Sequence, residues 1–408
     1  MSESILTKAG LFRGLRAQAL AIFGFFFLSG FILGNWIPRI PDVKAMFGLS
    51  ATELGFALFA LALGTLAAFL VAPRFIARFG LALSSLVGLS LWALAFWLVA
   101  FVAPFGALVV LMLVAGFFIG VTEVAMNSAA DREERMCGVR IMSRAHGFWS
   151  MGSLVGAMFG GLTASIGFGF VAHFSIVLPV VILAGGVALM VLKQRGNSDA
   201  DPQPSDEQKA FALPARGIML LCLFPVGIML IEGAFIDWSA LFVRDTLSGS
   251  IAQASLVYAV FSLSMMITRL SGDWIQDRFA LLTVARVSCL LAVLGISLFA
   301  FSPSVSFALV AALLSGIGVA IIYPMAMTVA AARPGRAEDN VAAMSLFAFT
   351  AFMIAPPLLG LIIDTVGMRA ALLCLVPLAL VSFALSSQIN GKTGGQMPTP
   401  TPQALHDT

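Results

Sequence analysis

This sequence is poor in charge. Only 11% of its 408 residues are Asp, Glu, Lys or Arg, and 60% are hydrophobic. Soluble domains carry about 25% charged residues, so this chain has too few to cover a water-soluble globule. The net charge of +3 gives no indication of nucleic-acid binding, because the basic residues lie in short segments between apolar runs. The composition predicts a polytopic protein of the lipid bilayer.

Cysteine and histidine are also scarce, with four and three copies. The cysteines stand alone in both halves of the chain, so their spacing predicts neither a metal site nor a disulfide framework. No phosphate-binding loop ending in Gly-Lys-Ser/Thr is present, which excludes ATP hydrolysis by this chain. No nucleophile is paired with a base either. We therefore expect no cofactor, no metal and no enzymatic activity.

Twelve apolar stretches are long enough to cross a bilayer, at about 20 residues each. They lie near residues 17–38, 52–72, 80–102, 105–130, 143–166, 169–192, 216–243, 251–271, 281–301, 305–331, 340–363 and 368–388. We predict an all-α membrane protein with twelve transmembrane helices in two pseudo-symmetric six-helix bundles, residues 1–192 and 216–390. A flexible, proline-punctuated linker at 193–215 joins the bundles, and a disordered tail follows at 391–408.

The basic residues are distributed unevenly between the two sides of this arrangement. If both termini share one side, that side holds 19 of the 23 Lys and Arg residues. The positive-inside rule assigns such a side to the cytoplasm. We therefore predict that both termini and the linker are cytoplasmic.

Segment 116–127 carries polar groups into an apolar helix. Gly116, Gly120, Glu123 and Asn127 recur at spacings of four, three and four, so they share one helix face. The glycines allow another helix to approach closely. An ionisable side chain at membrane depth is costly unless it faces protein or a water-filled cavity. We predict that this face lines a transport path, with Glu123 as the main proton-coupling carboxyl and Asn127 as a substrate contact. The alternative is a protonated Glu123 that is hydrogen-bonded inside a helix bundle.

The two halves of the chain resemble each other at an offset close to 200 residues. The matches include Asn35-Trp36 with Asp237-Trp238, Arg78 with Arg278, and Gly116 with Gly316. A parallel six-helix duplication is the layout of major facilitator transporters.

The chain resembles the major facilitator superfamily over both halves. Segment 272–279 is similar to the family's cytoplasmic Gly-x-x-x-Asp-Arg loop, although Asp273 occupies the glycine position and Gly272 comes one residue earlier. The resemblance implies gate residues at Asp277 and Arg278. The matching loop of the first half retains Arg78 but has Ala77 in place of the aspartate.

A closer resemblance is to a bacterial inner-membrane, fucose-permease-like branch of unassigned substrate. Segments 123–127, 146–150, 232–233 and 237–238 carry this resemblance. It implies a multi-pass transporter of the bacterial inner membrane. Drug antiporters of the superfamily have a proline in the fifth helix, where this chain has Gly161. This difference makes drug efflux a weaker prediction than uptake of a solute.

Two further carboxyls lie in the seventh predicted helix. Glu232 and Asp237 are five residues apart, which separates them by about 140° around a regular helix. Gly233, with Pro225 upstream, offers a break that would turn both towards one cavity, and Glu232 is then the partner of Glu123. Alternatively, Asp237 lies at the wet outer end and pairs with Arg39 or Arg244.

Other candidates are ambiguous from sequence alone. The ordinary pKa of histidine, about 6.5, suits proton exchange by His146, although a structural bond at a helix end is equally plausible. Trp36, Trp149 and Trp238 are candidates for stacking on a sugar-like substrate, and Trp36 and Trp238 also suit a membrane interface. Tyr323 is the second-half counterpart of Glu123, and Asn35 is the first-half counterpart of Asp237.

These features together predict a monomeric secondary transporter of a small organic solute, coupled to protons and working by alternating access. Proton-driven efflux of drugs or metabolites and a non-transporting receptor on the same fold remain alternatives. The sequence leaves open the substrate, the coupling ion, and whether transport is symport, antiport or uniport.

Overall fold

The structure is a computed structural model that describes residues 2–137, 141–193, 218–335 and 337–390. The described part is helical almost throughout and contains no strand. Eleven helical spans in it are long and apolar enough to cross a membrane, as expected of a multi-pass membrane protein. The predicted tail lies outside the described residues, as does the predicted linker beyond Lys193.

The first part of the chain contains seven α-helices and two short 3₁₀ turns in the described residues. They are α1 (Ser2–Trp36), a 3₁₀ turn (Ile37–Arg39), α2 (Ile40–Phe47), α3 (Ala51–Phe79), α4 (Leu81–Leu98), a 3₁₀ turn (Val99–Phe101), α5 (Phe105–Cys137), α6 (Met142–Ser165) and α7 (Phe170–Lys193).

The second part is more interrupted. It comprises α8 (Met219–Leu223), α9 (Val226–Leu241), a π-helical turn (Phe242–Thr246), α10 (Ile251–Leu270), α11 (Gly272–Arg278), α12 (Leu281–Ala300), α13 (Val305–Val319), α14 (Ile322–Ala331), α15 (Ala337–Val366), α16 (Met368–Leu373), α17 (Leu375–Leu385) and a 3₁₀ turn (Ser386–Asn390).

The offset of 200 residues recurs in local structure. Ser50 and Glu53 form a reciprocal capping box at the start of α3, and Ser250 and Gln253 form another at the start of α10. Such boxes satisfy backbone N–H groups that a helix start leaves without partners. Two turns at the same offset, those at 167 and 367, both have glycine at positive φ. The two parts of the chain therefore begin and end corresponding helices with the same local chemistry.

Helix α6 is the predicted span that is absent from the eleven apolar ones. It forms a helix of 24 residues, but its glycines and polar side chains lower its hydropathy. The glycines have a packing role, because a Cβ at Gly152 would lie 1.9 Å from the carbonyl oxygen of Phe27 in α1. Conversely, a Cβ at Gly30 in α1 would lie 1.9 Å from the carbonyl oxygen of Trp149 in α6. The backbones of α1 and α6 are therefore in direct contact.

Helix contacts fall into two groups. Within α1–α7, α1 packs on α6 and α7, while α5 packs on α3 and α4. Within α8–α17, α13 packs on α10 and α12, and α9 packs on α15 and α17. The two groups meet mainly where α3 contacts α15 and where α6 contacts α10.

The small-residue surface predicted on α5 is confirmed. A Cβ at Gly116 would lie 1.8 Å from the carbonyl oxygen of Leu61, and one at Gly120 would lie 2.6 Å from that of Thr65. Only glycine allows α3 and α5 to approach this closely.

The predicted break in the seventh span at Gly233 is wrong. Helix α9 runs through Gly233 without interruption, and the break lies earlier, between α8 and α9 at Pro225. A second break separates α13 from α14, and Pro324 lies just after it. Proline has no N–H to donate, so Pro324 leaves the carbonyl of Ala320, four residues earlier, without its helical partner.

Candidate functional site

One end of the molecule is held closed by contacts between α3 and α15. Asp364 of α15 accepts hydrogen bonds from the backbone N–H groups of Ala51 at 3.0 Å and Thr52 at 2.8 Å. These groups form the first turn of α3, where free N–H groups and the helix dipole favour a carboxylate. We call this end of the molecule the Asp364 end. This cap could not be predicted from the sequence, because its residues are more than 300 positions apart.

Further contacts reinforce the closure of the Asp364 end. Lys44 and Asp245 form an ion pair at 2.7 Å that joins the two groups of helices. Backbone contacts are equally close, since a Cβ at Gly55 would lie 2.5 Å from the carbonyl oxygen of Pro356. The backbones of α3 and α15 are therefore in direct contact at Gly55 and Pro356.

The opposite end, which we call the Arg78 end, is different. The predicted gate residues Arg78, Asp277 and Arg278 are exposed there. None of them forms an ion pair with any other described residue, and the guanidinium of Arg78 lies over the ring of its neighbour Phe79. Within the described residues, these gate charges are therefore unpaired in this conformation.

Glu123 and Asn127 lie on one face of α5, as their spacing predicts. Both side chains are half-buried. The Asn127 amide donates to the Glu123 carboxylate at 3.2 Å and to the Glu123 carbonyl oxygen at 2.8 Å. Glu123 forms no ion pair within the described part of the chain. The two residues therefore present a partly accessible carboxyl–amide unit at membrane depth.

Glu232 has a partner that the sequence did not suggest. Its buried carboxylate accepts a hydrogen bond at 3.0 Å from Arg269 in the last turn of α10. The Nε of Arg269 donates at 3.2 Å to the carbonyl oxygen of Ala320, the acceptor that Pro324 leaves free. Arg269 is one of the 19 basic residues that the sequence assigns to the cytoplasmic side. Its side chain nevertheless turns back into the protein. No hydrogen bond or ion pair joins Glu232 to Glu123.

Other polar side chains surround this pair. The Tyr258 hydroxyl lies 3.0 Å from the Ser153 hydroxyl, which links α10 to α6. Tyr258 lies within electrostatic range of both Glu232 and Arg269, Tyr323 lies within range of Glu232, and His146 lies within range of Arg269. We call Glu232, Arg269, Tyr258, Tyr323 and His146 the Arg269 cluster. It brings three of the predicted site residues together where the two helix groups meet.

Asp237 faces away from this cluster. It lines a cavity of about 210 Å³ between α3, α9 and α15. The cavity walls include Leu58, Leu61, Thr65, Phe349 and Phe352. The regular helix therefore directs Glu232 and Asp237 to different sides, as the angle of about 140° requires.

The alternative pairing of Asp237 with Arg39 or Arg244 is wrong. Arg39 is buried and bonds to Asp42 at 3.0 Å and to the Phe168 carbonyl oxygen at 2.9 Å. Arg244 donates to the carbonyl oxygen of Gly249 at 3.0 Å. In the described part of the chain, Asp237 has neither a hydrogen bond nor an ion pair.

Three predicted contacts are buried in the packing instead. Trp36 stacks on Phe96 with ring centroids 4.0 Å apart, and it is 3% exposed. Asn35 is buried and donates to the carbonyl oxygen of Phe31 at 2.7 Å. Trp238 is also buried, whereas Trp149 is half-buried on α6. Neighbouring helices therefore cover the rings of Trp36 and Trp238, which are exposed neither to a cavity nor to the surface.

A family model described as Major Facilitator Superfamily matches residues 18–350. An uncharacterized transporter of Sinorhizobium fredii is 29% identical over 346 residues, which cover 84% of this chain and 90% of that protein.

Solved structures share the fold at low identity. The nucleoside transporter NupG aligns with a TM-score of 0.70 at 14% identity, covering 92% of this chain and 100% of NupG. The E. coli fucose:proton symporter FucP aligns with a TM-score of 0.61 at 17% identity, covering 91% of this chain and 98% of FucP.

Proposed function

The chain belongs to the Major Facilitator Superfamily, and we propose that it is a secondary active transporter of a small organic solute. The family and a relative that is named a transporter make it a membrane transporter rather than an enzyme. In our proposal it works as a monomer, couples transport to protons, and alternates between states open to each side.

The proposed architecture is twelve transmembrane helices in two six-helix bundles. The grouping of helix contacts supports it, as do the matching capping boxes at Ser50 and Ser250. Helix α6 is the twelfth span. Its lower hydropathy is compatible with a membrane position because α1 and α10 both pack against it.

We further propose that both termini and the linker face the cytoplasm of a bacterial inner membrane, so that the Asp364 end faces outside. The charge asymmetry of the loops supports this orientation. Reporter fusions after Gln388 and within the linker test it. Activity of a periplasm-only reporter at either position would overturn the topology.

The proposal of alternating access depends on the difference between the two ends of the molecule. The Asp364 end is closed by contacts between the helix groups, whereas the gate charges at the Arg78 end are exposed and form no ion pair with another described residue. In the proposed orientation this is an inward-facing state. The outward-facing state would break the Asp364 contacts and bring Arg78, Asp277 and Arg278 together.

Proton coupling is proposed for the carboxyls of Glu123 and Glu232. Glu123 is partly accessible and has only a neutral amide as its side-chain partner, so it can exchange a proton without breaking an ion pair. Protonation of Glu232 would release Arg269. The two carboxyls give the protein a residue on each half whose charge depends on proton binding.

Reconstitution tests this function. A thermal-shift screen of sugars, amino acids, organic acids and drugs first identifies a ligand, and proteoliposomes with an imposed pH gradient then measure its uptake. We expect accumulation above equilibrium that a protonophore abolishes. Uptake that ignores the gradient would contradict proton coupling, and binding without any uptake would favour the receptor alternative.

Efflux of amphipathic compounds is the second candidate. The apolar cavity at Asp237 favours it, because such a space suits a compound with a hydrophobic body. Export from inverted vesicles would distinguish efflux from uptake.

A further inference from the structure

The cavity between α3, α9 and α15 has an unusual chemical composition. Of its described lining residues, only Thr65 and Asp237 have polar side chains. The Thr65 hydroxyl already lies 3.0 Å from the carbonyl oxygen of Gly116 and 3.1 Å from that of Leu61. The carboxyl of Asp237 is therefore the one ionisable group among the described lining residues.

The surroundings leave the charge of Asp237 without compensation. The two cations considered as its partners, Arg39 and Arg244, are bound elsewhere, and Arg269 pairs with Glu232 on another side of α9. Among the other acidic residues of α3, α9 and α15, Glu53 and Asp364 lie at the start of α3, and Glu232 pairs with Arg269. A carboxylate in apolar surroundings is costly unless a cation or a proton accompanies it.

The walls identify the kind of cation. Metal cations such as Ca²⁺ take six or more oxygen ligands, and one carboxylate among leucine and phenylalanine side chains does not supply them. An organic cation needs only one carboxylate for its charged group. Its apolar body would contact Leu58 and Leu61, and the faces of Phe349 and Phe352 also attract cations.

We propose that this cavity binds a monovalent organic cation, with a protonated amine on the carboxylate of Asp237 and an apolar body against α3 and α15. This inference rests on the proposed function and gives that transporter its substrate class. The α3–α15 contact closes the cavity towards the Asp364 end, so the ligand enters from the Arg78 end in this conformation.

Equilibrium binding to the purified full-length protein in nanodiscs tests the proposal. Three probes share one aromatic body and differ in charge: phenethylamine, phenethyl alcohol and phenylacetate. Isothermal titration near neutral pH should show that the amine binds at least about 10-fold more tightly than the alcohol, because a desolvated charge pair contributes to the amine alone. The acid should not bind. Equal affinities, a preference for phenylacetate, or no binding of the amine would overturn the proposal.

Variants locate the site. Asp237→Asn should weaken amine binding at least about 10-fold and leave the weak binding of the alcohol unchanged. Asp131→Asn is the matched control, because Asp131 pairs with Arg135 on the exposed surface outside the cavity, and its amine affinity should equal that of the parent. Asp237→Glu retains the charge and should keep the preference for the amine. An Asp237→Asn protein that elutes as a single species and binds the amine like the parent would overturn the proposal.

A packing variant gives a second measurement that does not alter charge. A Cβ at Gly233 would lie 3.1 Å from the ring of Phe352, so Gly233→Ala should reduce the space and weaken binding of the bulkier tryptamine more than that of phenethylamine. Equal losses for both amines would contradict binding in this cavity. Because these assays measure binding, their failure leaves transport of another solute intact, whereas amine binding without transport would overturn only the proposed function.

Discussion

The carboxylate of Glu232 and the guanidinium of Arg269 form an ion pair at 3.0 Å in the interior of the protein. The carbonyl of Ala320 holds the same guanidinium in place. The pair joins α9, α10 and the break between α13 and α14. It is therefore both a structural link and a charge pair that a proton can open.

Removing one member of this pair should destabilise the protein more than removing both. Glu232→Gln leaves Arg269 unpaired, and we expect a loss of about 1–3 kcal/mol, less than for a fully buried pair because the Arg269 side chain is 24% exposed. Adding Arg269→Gln should recover part of the loss. Thermal unfolding in detergent measures both effects.

The exposed pair of Asp131 and Arg135 is the control for this experiment. Its side chains are 49% and 72% exposed, so Arg135→Gln should change stability little. Additive effects of the Glu232 and Arg269 substitutions would show that the pair is not coupled energetically.

Asp364 should control the equilibrium between the two conformations. Asp364→Asn removes the negative charge at the start of α3 and weakens two hydrogen bonds that cross between the helix groups. We expect a shift towards a state open at the Asp364 end. Distances between spin labels on the loops near Arg78 and Arg278, measured by double electron–electron resonance, should then shorten.

Glu53→Gln is a matched control, because Glu53 caps the same helix start from within α3. It should leave the distance distribution unchanged. A single narrow distance in all three proteins, at every pH, would argue against two states controlled by Asp364.

Glu123→Gln should separate proton coupling from binding. The amide preserves the shape of the protonated carboxyl but cannot exchange a proton. We expect proton-driven accumulation to disappear while counterflow exchange continues, and the binding affinity should lose its dependence on pH. Accumulation and counterflow are measured in proteoliposomes, and the affinity is measured by titration at several pH values.

Asn127→Ala is the comparison for Glu123→Gln. It removes the amide partner but keeps the carboxyl, so it should weaken binding and retain coupling. If Glu123→Gln accumulates substrate as well as the parent does, Glu123 is structural and Glu232 is the next residue to test.

Gly116 should tolerate no larger residue. The Cβ of Gly116→Ala would collide with the carbonyl oxygen of Leu61 at 1.8 Å, so α3 and α5 must separate, at a cost of about 1–3 kcal/mol. Gly186→Ala on α7 adds a Cβ with no atom within 4 Å and should be neutral or slightly stabilising. Thermal unfolding compares the two, and equal melting temperatures would contradict the close packing of α3 on α5.

The sequence alone determined the class of the protein. Long apolar runs dictate membrane helices because a backbone in lipid must satisfy its own hydrogen bonds. The spacing from Gly116 to Asn127 placed the close-packing face and the Glu123–Asn127 unit on one side of α5, since helical period follows from backbone geometry. Both were predictable because they depend on residues of one helix.

Only the tertiary structure decided which side chains meet. The partner of Glu232 is Arg269, and the cap of α3 is Asp364, each on another helix. Residue spacing within one helix carries no information about which groups on other helices come within 3 Å. The same limit explains why the position of Trp36 was not predicted. Its amphipathic ring suits a membrane interface, but in the structure Phe96 and its neighbours cover it. It also explains Asp237, whose isolation in an apolar cavity depends on three helices that are far apart in the chain.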